Sequence, residues 1–235
     1  MHPLDNPGWT ALTTLQAHLA LGGDLARRYP DDLTPIAAVG RREQGALDEL
    51  ATLVTDGDWV SLPATLDGIV SLVRCPLVVK FTKTLVQMVC SRRTIAPPAG
   101  LELSVLSEPD IPDMVALAAL THPGPFRSQT YRFGTYLGIR LDDRLAAMGG
   151  QRMHLPGYRE LSAICTHPDY RGRGLARTIV SRLVAATFEE GLTPFLHVEE
   201  QNQGAQALYR TLGFVERARL PLVVVERTRS LKSDV

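Results

Sequence analysis

The sequence is poor in cysteine, lysine and aromatic residues, has no net charge, and contains no long uncharged apolar run. Its three cysteines, Cys75, Cys90 and Cys165, are widely spaced and form no metal-ligand pattern. That spacing excludes a disulfide framework, and the expectation is a reducing, cytoplasmic setting with no metal. Lysine occurs only at Lys80, Lys83 and Lys232, so most of the positive charge is arginine. Lys plus Arg and Asp plus Glu both number 25, so no global field draws the chain to nucleic acid or to an anionic membrane, and neither partner is expected. Any basic site must be local. The most apolar window, Ile69 to Val89, is interrupted by Arg74, Lys80 and Lys83, which a spanning helix of about 20 residues tolerates poorly. Met1 to Trp9 shows no basic stretch followed by an apolar run, so no secretory signal is read there.

What is present is the composition of an ordinary globular chain, 45% hydrophobic and 21% charged over 235 residues, enough for two modest domains. The run Arg92 to Gly100 carries two prolines and a glycine between apolar stretches and marks a connection. A boundary near residue 97 divides the chain into an N-terminal α+β segment (1–97), a second domain (98–228) and a polar tail (229–235). In the first part, Gly22-Gly23-Asp24 lies between two candidate strands of a hairpin, and Glu43 to Val54 places Ala46, Leu47, Leu50 and Val54 on one helical stripe. Trp59 to Leu62, Ile69 to Val73, Leu77 to Phe81 and Leu85 to Val89 read as four short strands. No cluster of catalytic residue types occurs in this half.

The second part begins with a strand, Leu101 to Leu106, a helix started by Asp110 to Asp113, and a Pro- and Gly-rich loop, Thr121 to Ser128. Tyr136 to Leu141, Leu145 to Met153 and Arg159 to Thr166 then read as an antiparallel meander. After Thr166 comes a helix with Leu175, Ile179, Leu183 and Thr187 in one row, closed by Gly191, and then a strand from Pro194 to Glu200 that should run parallel to the one ending at Thr166. Ligands of such a strand, helix and strand unit bind at the C-terminal ends of the strands.

That is where Arg171-Gly172-Arg173-Gly174-Leu175-Ala176 falls. A strand there hands over to a helix whose first backbone NH groups lack partners, the glycines admit close approach, and Arg171, Arg173 and Arg177 add charge with no acid between Tyr170 and Phe188. A pyrophosphate suits such a spot. A P-loop is excluded because no Gly-Lys-Ser/Thr follows, and a dinucleotide fingerprint because Arg177 stands where a third small residue belongs.

The hexapeptide resembles the Arg/Gln-x-x-Gly-x-Gly/Ala signature of the GNAT superfamily of N-acetyltransferases. A second motif follows, Asn202-x-x-Ala205-x-x-Leu208-Tyr209-x-x-x-Gly213-Phe214, and the similarity spans about Leu101 to Leu220. The resemblance implies an α+β, three-layer fold: a mixed, mostly antiparallel sheet with flanking helices. It implies acetyl-CoA as co-substrate and a small-molecule or peptide primary amine as acceptor, the amine attacking the thioester directly in a ternary complex. Main-chain groups of Ile164, Cys165 and Thr166 would hold the pantetheine arm like an added strand, and residues Arg171 to Ala176 the pyrophosphate. Asn202 would contact the cofactor, although its place before Gln203 equally suits a helix cap.

Tyr209 is then the candidate general acid for the departing thiolate, since a phenol stays protonated at neutral pH. For the base, Glu160 and Ser162 share a face with Ile164 by strand alternation, and the resemblance favours a carboxylate at Glu160; the competing reading is a salt-bridged strand residue with solvent taking the proton. His197 and Glu199 are secondary candidates. Cys165 reads as core rather than as a nucleophile. The loop His122 to Arg127 resembles the acceptor side of relatives, which makes Phe126 and Arg127 the expected substrate contacts. The N-terminal segment resembles the first half of two-part members, as a degenerate copy without a pyrophosphate loop. The rival classes are a silent acyl-CoA sensor and a dinucleotide-dependent oxidoreductase. The acceptor is not legible from the sequence, nor is the assembly, of which a homodimer is one.

Overall fold

The computed structural model describes residues 2–63, 68–74, 76–92 and 100–229. Cys75, the expected boundary near residue 97 and most of the tail lie outside the described residues. Backbone contacts gather the chain into two compact units. One holds the described residues of Met1–Pro30, Pro35–Leu85 and Arg219–Val235, the other Asp31–Thr34 and Val86–Ala218.

In the first unit a short helix, α1 (Pro7–Thr13), is capped by Asn6 and precedes a three-stranded sheet of β1 (Leu21–Gly22), β2 (Ala26–Arg28) and β3 (Ala37–Val39). The expected hairpin is there, with Leu21 opposite Arg28 and Gly22 opposite Arg27. Helix α2 (Gln44–Leu53) turns Ala46, Leu47, Leu50 and Ala51 inward against Val60 and Leu62 of β4 (Trp59–Pro63) and Val223 and Val225 of the last strand. Two expectations fail in this half. Ile69 to Val73 is not a strand: Gly68, at φ 71°, opens a tight 3-10 turn over Ile69–Leu72. Leu77 to Phe81 and Leu85 to Val89 are one strand, β5 (Leu77–Cys90), because the polar Thr82-Lys83-Thr84 between them holds no glycine or proline and threonine is a good strand former.

The second unit is built on a sheet ordered β11 (Phe214–Arg227), β5, β10 (Thr193–Glu199), β9 (Tyr158–Thr166), β8 (Arg144–Leu155), β7 (Tyr136–Leu141) and β6 (Ser104–Leu106). Strands β6 to β9 are antiparallel neighbours and β10 runs parallel to β9, which makes the sheet mixed and mostly antiparallel. Helices cover both faces. On one, α3 (Ile111–Thr121) buries Met114, Leu117 and Ala118 with Tyr136, Met148 and Cys165. On the other, α4 (Leu175–Glu189) and α5 (Gln203–Thr211) bury Ile179, Val180, Leu183 and Tyr209 with Val86, Met88, Leu161, Leu196 and Val198. This is the expected α+β layering. Leu101 to Leu103 do not join the first strand, and β11 is an addition to the elements read from sequence.

The division between units falls elsewhere than residue 97. Val86–Cys90 complete the second unit's sheet between β10 and β11, and the chain from Arg219 belongs with the first unit. Composition marked the connecting loop, but compactness follows strand pairing, which composition does not encode. Among the described residues no helix is long and apolar enough to cross a membrane.

Candidate active site

The parallel pairing of β10 with β9 runs from Thr193 opposite Tyr158 to Leu196 opposite Leu161, where it ends. Beyond that rung β9 keeps its antiparallel partner, with Cys165 opposite Met148 and Thr166 opposite Ala147, while residues 197–199 of β10 pair with nothing on β9. The strands fork there, and β9 turns an unladdered backbone edge toward the opening.

At the fork β9 carries one residue more than β8, since Gly150 faces Ser162 and Met148 faces Cys165. The extra residue is Ala163, at φ 55°, a left-handed conformation that a non-glycine residue seldom adopts. This bulge inverts the expected facing. Leu161 and Ile164 pack on the α4 side, Ala163 and Cys165 on the α3 side. Glu160, one residue before Leu161, therefore faces away from Ile164, contrary to the simple alternation. Ile164 in turn presses on Gly149, where a Cβ would stand 2.4 Å from its Cδ1 and 2.9 Å from Ile179 Cγ2, so only glycine lets α4 sit this close.

The hexapeptide loop lies immediately after this strand. Gly172 and Gly174 have φ of 78° and 79° with open space around both, so they are required by backbone conformation and not by packing. Gly174 is the N-cap of the 15-residue α4, and no side chain caps its first amides. Arg171 and Arg173 are exposed and Arg177 half-buried, while Leu175 anchors the loop in the core. Tyr170 braces the loop from below: its hydroxyl donates to Asp142 at 3.0 Å, and the Arg173 guanidinium lies 5.2 Å from its ring centroid. The result is a helix start without a side-chain cap, flanked by three arginines, which favours an anion.

Tyr209 is buried in the α4-side core, with its ring centroid 5.9 Å from that of Phe214. Burial, with a smaller contribution from Cys165, pushes its phenol up to about 12, and its hydroxyl makes no hydrogen bond among the described residues. Asn202 does cap α5, accepting from the Ala205 amide at 3.1 Å, and stays exposed. Cys165 is buried and its thiol is pushed up to about 11 by desolvation, so it is not a thiolate nucleophile at neutral pH.

Glu160 is not poised as a base. It is fully buried and accepts two bonds from Arg152, Nε at 2.8 Å and Nη2 at 2.9 Å, and its Oε1 lies 2.9 Å from His197 Nδ1. Burial by itself would raise the carboxyl, but the Arg152 charge and hydrogen bonds, then His197, hold it down at about 2. Such a carboxylate is an anchor and has little tendency to take a proton. The row continues sideways: His197 Nε2 is 3.0 Å from Gln87 Nε2, and Arg217 donates to Gln87 Oε1 at 2.8 Å. Sequence reading missed Arg152, Gln87 and Arg217. The available signal was an isolated polar residue in an apolar strand, as in Val86-Gln87-Met88.

On the α3 side, Phe126 packs edge-on to Tyr136 at 5.7 Å, and Arg127 is exposed. Their loop is pinned by the segment Asp31–Thr34: the Gln129 amide donates to Asp32 O at 3.0 Å and Thr130 Oγ1 to Leu33 O at 2.6 Å. Among the described residues no group of three or more His, Cys, Asp or Glu could hold a metal ion.

The model of the FR47-like protein family matches residues 136–221. The [ribosomal protein bS18]-alanine N-acetyltransferase of Salmonella typhimurium is 34% identical over 121 residues, 48% of this chain and 80% of that protein. The N-alpha-acetyltransferase MAK3 of Arabidopsis thaliana is 31% identical over 129 residues, 50% of this chain and 67% of that one. A crystal structure of a putative acetyltransferase from the GNAT family of Novosphingobium aromaticivorans is similar over 97% of this chain and 100% of its own, with a TM-score of 0.86 and 35% identity.

Proposed function

The chain belongs to the GNAT family of acetyltransferases, and on that premise we propose that it transfers the acetyl group of acetyl-CoA to a primary amine by direct attack in a ternary complex. The observation that carries the reading is the fork between β9 and β10 beside an uncapped helix start. The backbone edge of residues 162–166 offers the pantetheine amides a strand to pair with, and the loop Arg171 to Ala176 offers the pyrophosphate backbone NH groups and charge. The thioester then lies within the fork, where main-chain NH groups of the bulged strand stabilise the oxyanion.

Acid and base stand on opposite faces of the sheet. Tyr209, on the α4 side, keeps its proton at neutral pH and donates it to the leaving thiolate. On the other face Glu160 gives way as the base to His197, the residue directly beyond the last parallel rung, which takes the amine's proton through water while Glu160 orients it. The acceptor enters over Phe126 and Arg127. One relative is named as a ribosomal-protein alanine N-acetyltransferase and another as an N-alpha-acetyltransferase, which makes a peptide α-amine the first acceptor to try, ahead of small amines.

The test is calorimetric titration of the full chain with acetyl-CoA, CoA and NADH, followed by thiol release with peptides and small amines. Binding of the CoA ligands alone, with thiol release on an amine, is expected. NADH binding would restore the oxidoreductase alternative, and CoA binding without turnover on any amine would favour a silent sensor.

A further inference from the structure

Five side chains form a continuous hydrogen-bonded row across the face opposite α4, half-buried at its two arginine ends: Arg152 on β8, Glu160 on β9, His197 on β10, Gln87 on β5 and Arg217 on β11. Strand alternation accounts for their common face, because Val86, Met88, Leu161, Leu196 and Val198, their neighbours in sequence, all face α4. Gln87 and Glu160 are fully buried, and the His197 side chain is 5% exposed.

The hydrogen bonds in this row admit one proton arrangement. A guanidinium can only donate, so the Gln87 atom 2.8 Å from Arg217 Nη1 must be its carbonyl oxygen. The amide NH2 then faces His197 Nε2, which must supply a lone pair. The remaining imidazole proton sits on Nδ1 and is donated to Glu160, whose two oxygens are already fixed as acceptors by Arg152. Arginines at both ends thus set the imidazole between them, through an amide on one side and a carboxylate on the other.

We propose that Gln87, held by Arg217, is a positioning residue for acetyl transfer: its amide donates to Nε2 and so keeps His197 in the Nδ1–H tautomer, leaving Nε2 the unprotonated nitrogen that takes up a proton once the amide gives way. The proposal rests on His197 accepting the amine's proton. It deepens that reading because Gln87 comes from a strand outside the 136–221 stretch matched by the family model and from the half of the sequence in which no catalytic cluster was visible. The N-terminal strand therefore takes part in preparing the base, in addition to completing the sheet. Proton uptake at Nε2 requires the Gln87 amide to give way to the relay water, so the amide also excludes the wrong tautomer until acceptor and water arrive.

The experiment is long-range 1H–15N correlation NMR of the histidine-labelled full chain, with His197 assigned from the spectrum of His197→Gln. A protonated Nδ1 and an unprotonated Nε2 are expected at neutral pH; an Nε2–H tautomer overturns the proposal whatever the kinetics. In Gln87→Glu a second carboxylate faces the ring, both nitrogens should carry protons, and kcat should fall about tenfold or more with the KM for acetyl-CoA unchanged. An unchanged ring signal or an unchanged kcat overturns the positioning role. Should that variant not fold, Gln87→Met is read in its place, with a lower kcat at unchanged KM for acetyl-CoA expected and wild-type kinetics overturning the role. Full activity in His197→Gln sinks the base assignment separately, and the wild-type tautomer is still read independently of it.

Discussion

Glu160 Oε1 lies 2.9 Å from His197 Nδ1, one step past the point where β9 and β10 cease to pair. The carboxylate thereby joins two duties, closing a buried ion pair with Arg152 and orienting an imidazole at the fork.

Its titration gives the first prediction. The folded-state pKa is depressed from 4.5 to about 2, so the stabilisation is present above about 4.5 and is lost as pH falls toward 2. Glu160→Gln should be less stable at neutral pH and show a flatter loss of stability through that acid window, measured by urea unfolding at a series of pH values. Parallel pH curves for the two proteins would contradict the assignment.

Tyr209→Phe removes the proposed acid and keeps the ring that packs on Phe214. Thiol-release kinetics should show kcat lower by roughly 10²-fold or more, with acetyl-CoA binding little changed. Because burial pushes the phenol up to about 12, the wild-type rate should show no alkaline loss from this group below about pH 10. A variant with near-normal kcat would leave Tyr209 as a packing residue.

Gly174→Glu places a carboxylate at the N-cap of α4, in a left-handed conformation at φ 79° but in open space. Strain of about 1–2 kcal/mol should leave the protein folded, as circular dichroism would report. Titration with CoA should show binding weakened by two orders of magnitude or lost. Undiminished affinity would move the pyrophosphate elsewhere.

Gly149→Ala tests the packing that brings α4 to the sheet. The new methyl would fall 2.4 Å from Ile164 Cδ1, so overpacking should cost about 1–3 kcal/mol in urea denaturation. Ile164 borders the fork, and the same change should raise the KM for acetyl-CoA. A stability equal to wild type would show that Ile164 moves freely.

How the sequence fared differs from element to element. Tyr136–Leu141 is the first strand of the meander as read, and α4 begins at Leu175 where the glycine loop predicted it. Ile69 to Val73 went wrong because a short, mostly apolar segment is compatible with a strand or a tight helix, and Gly68 decided between them. The β5 strand was split because exposed polar residues in a strand look like a turn when their neighbours are unknown. The facing of Glu160 was misjudged because alternation assumes no bulge, and Ala163 is an alanine in a conformation that sequence associates with glycine.

By itself the sequence determined the loop chemistry. Glycines at 172 and 174, arginines around them and a helix following are local properties, and they carry the family with them. The tertiary structure alone decided which distant residues met: Gln87 and His197 are separated by 110 positions, Gln87 and Arg217 by 130. A buried polar side chain announces in the sequence that it needs a partner, but which one it finds depends on strand order and register, and those are set by the packing of the whole sheet.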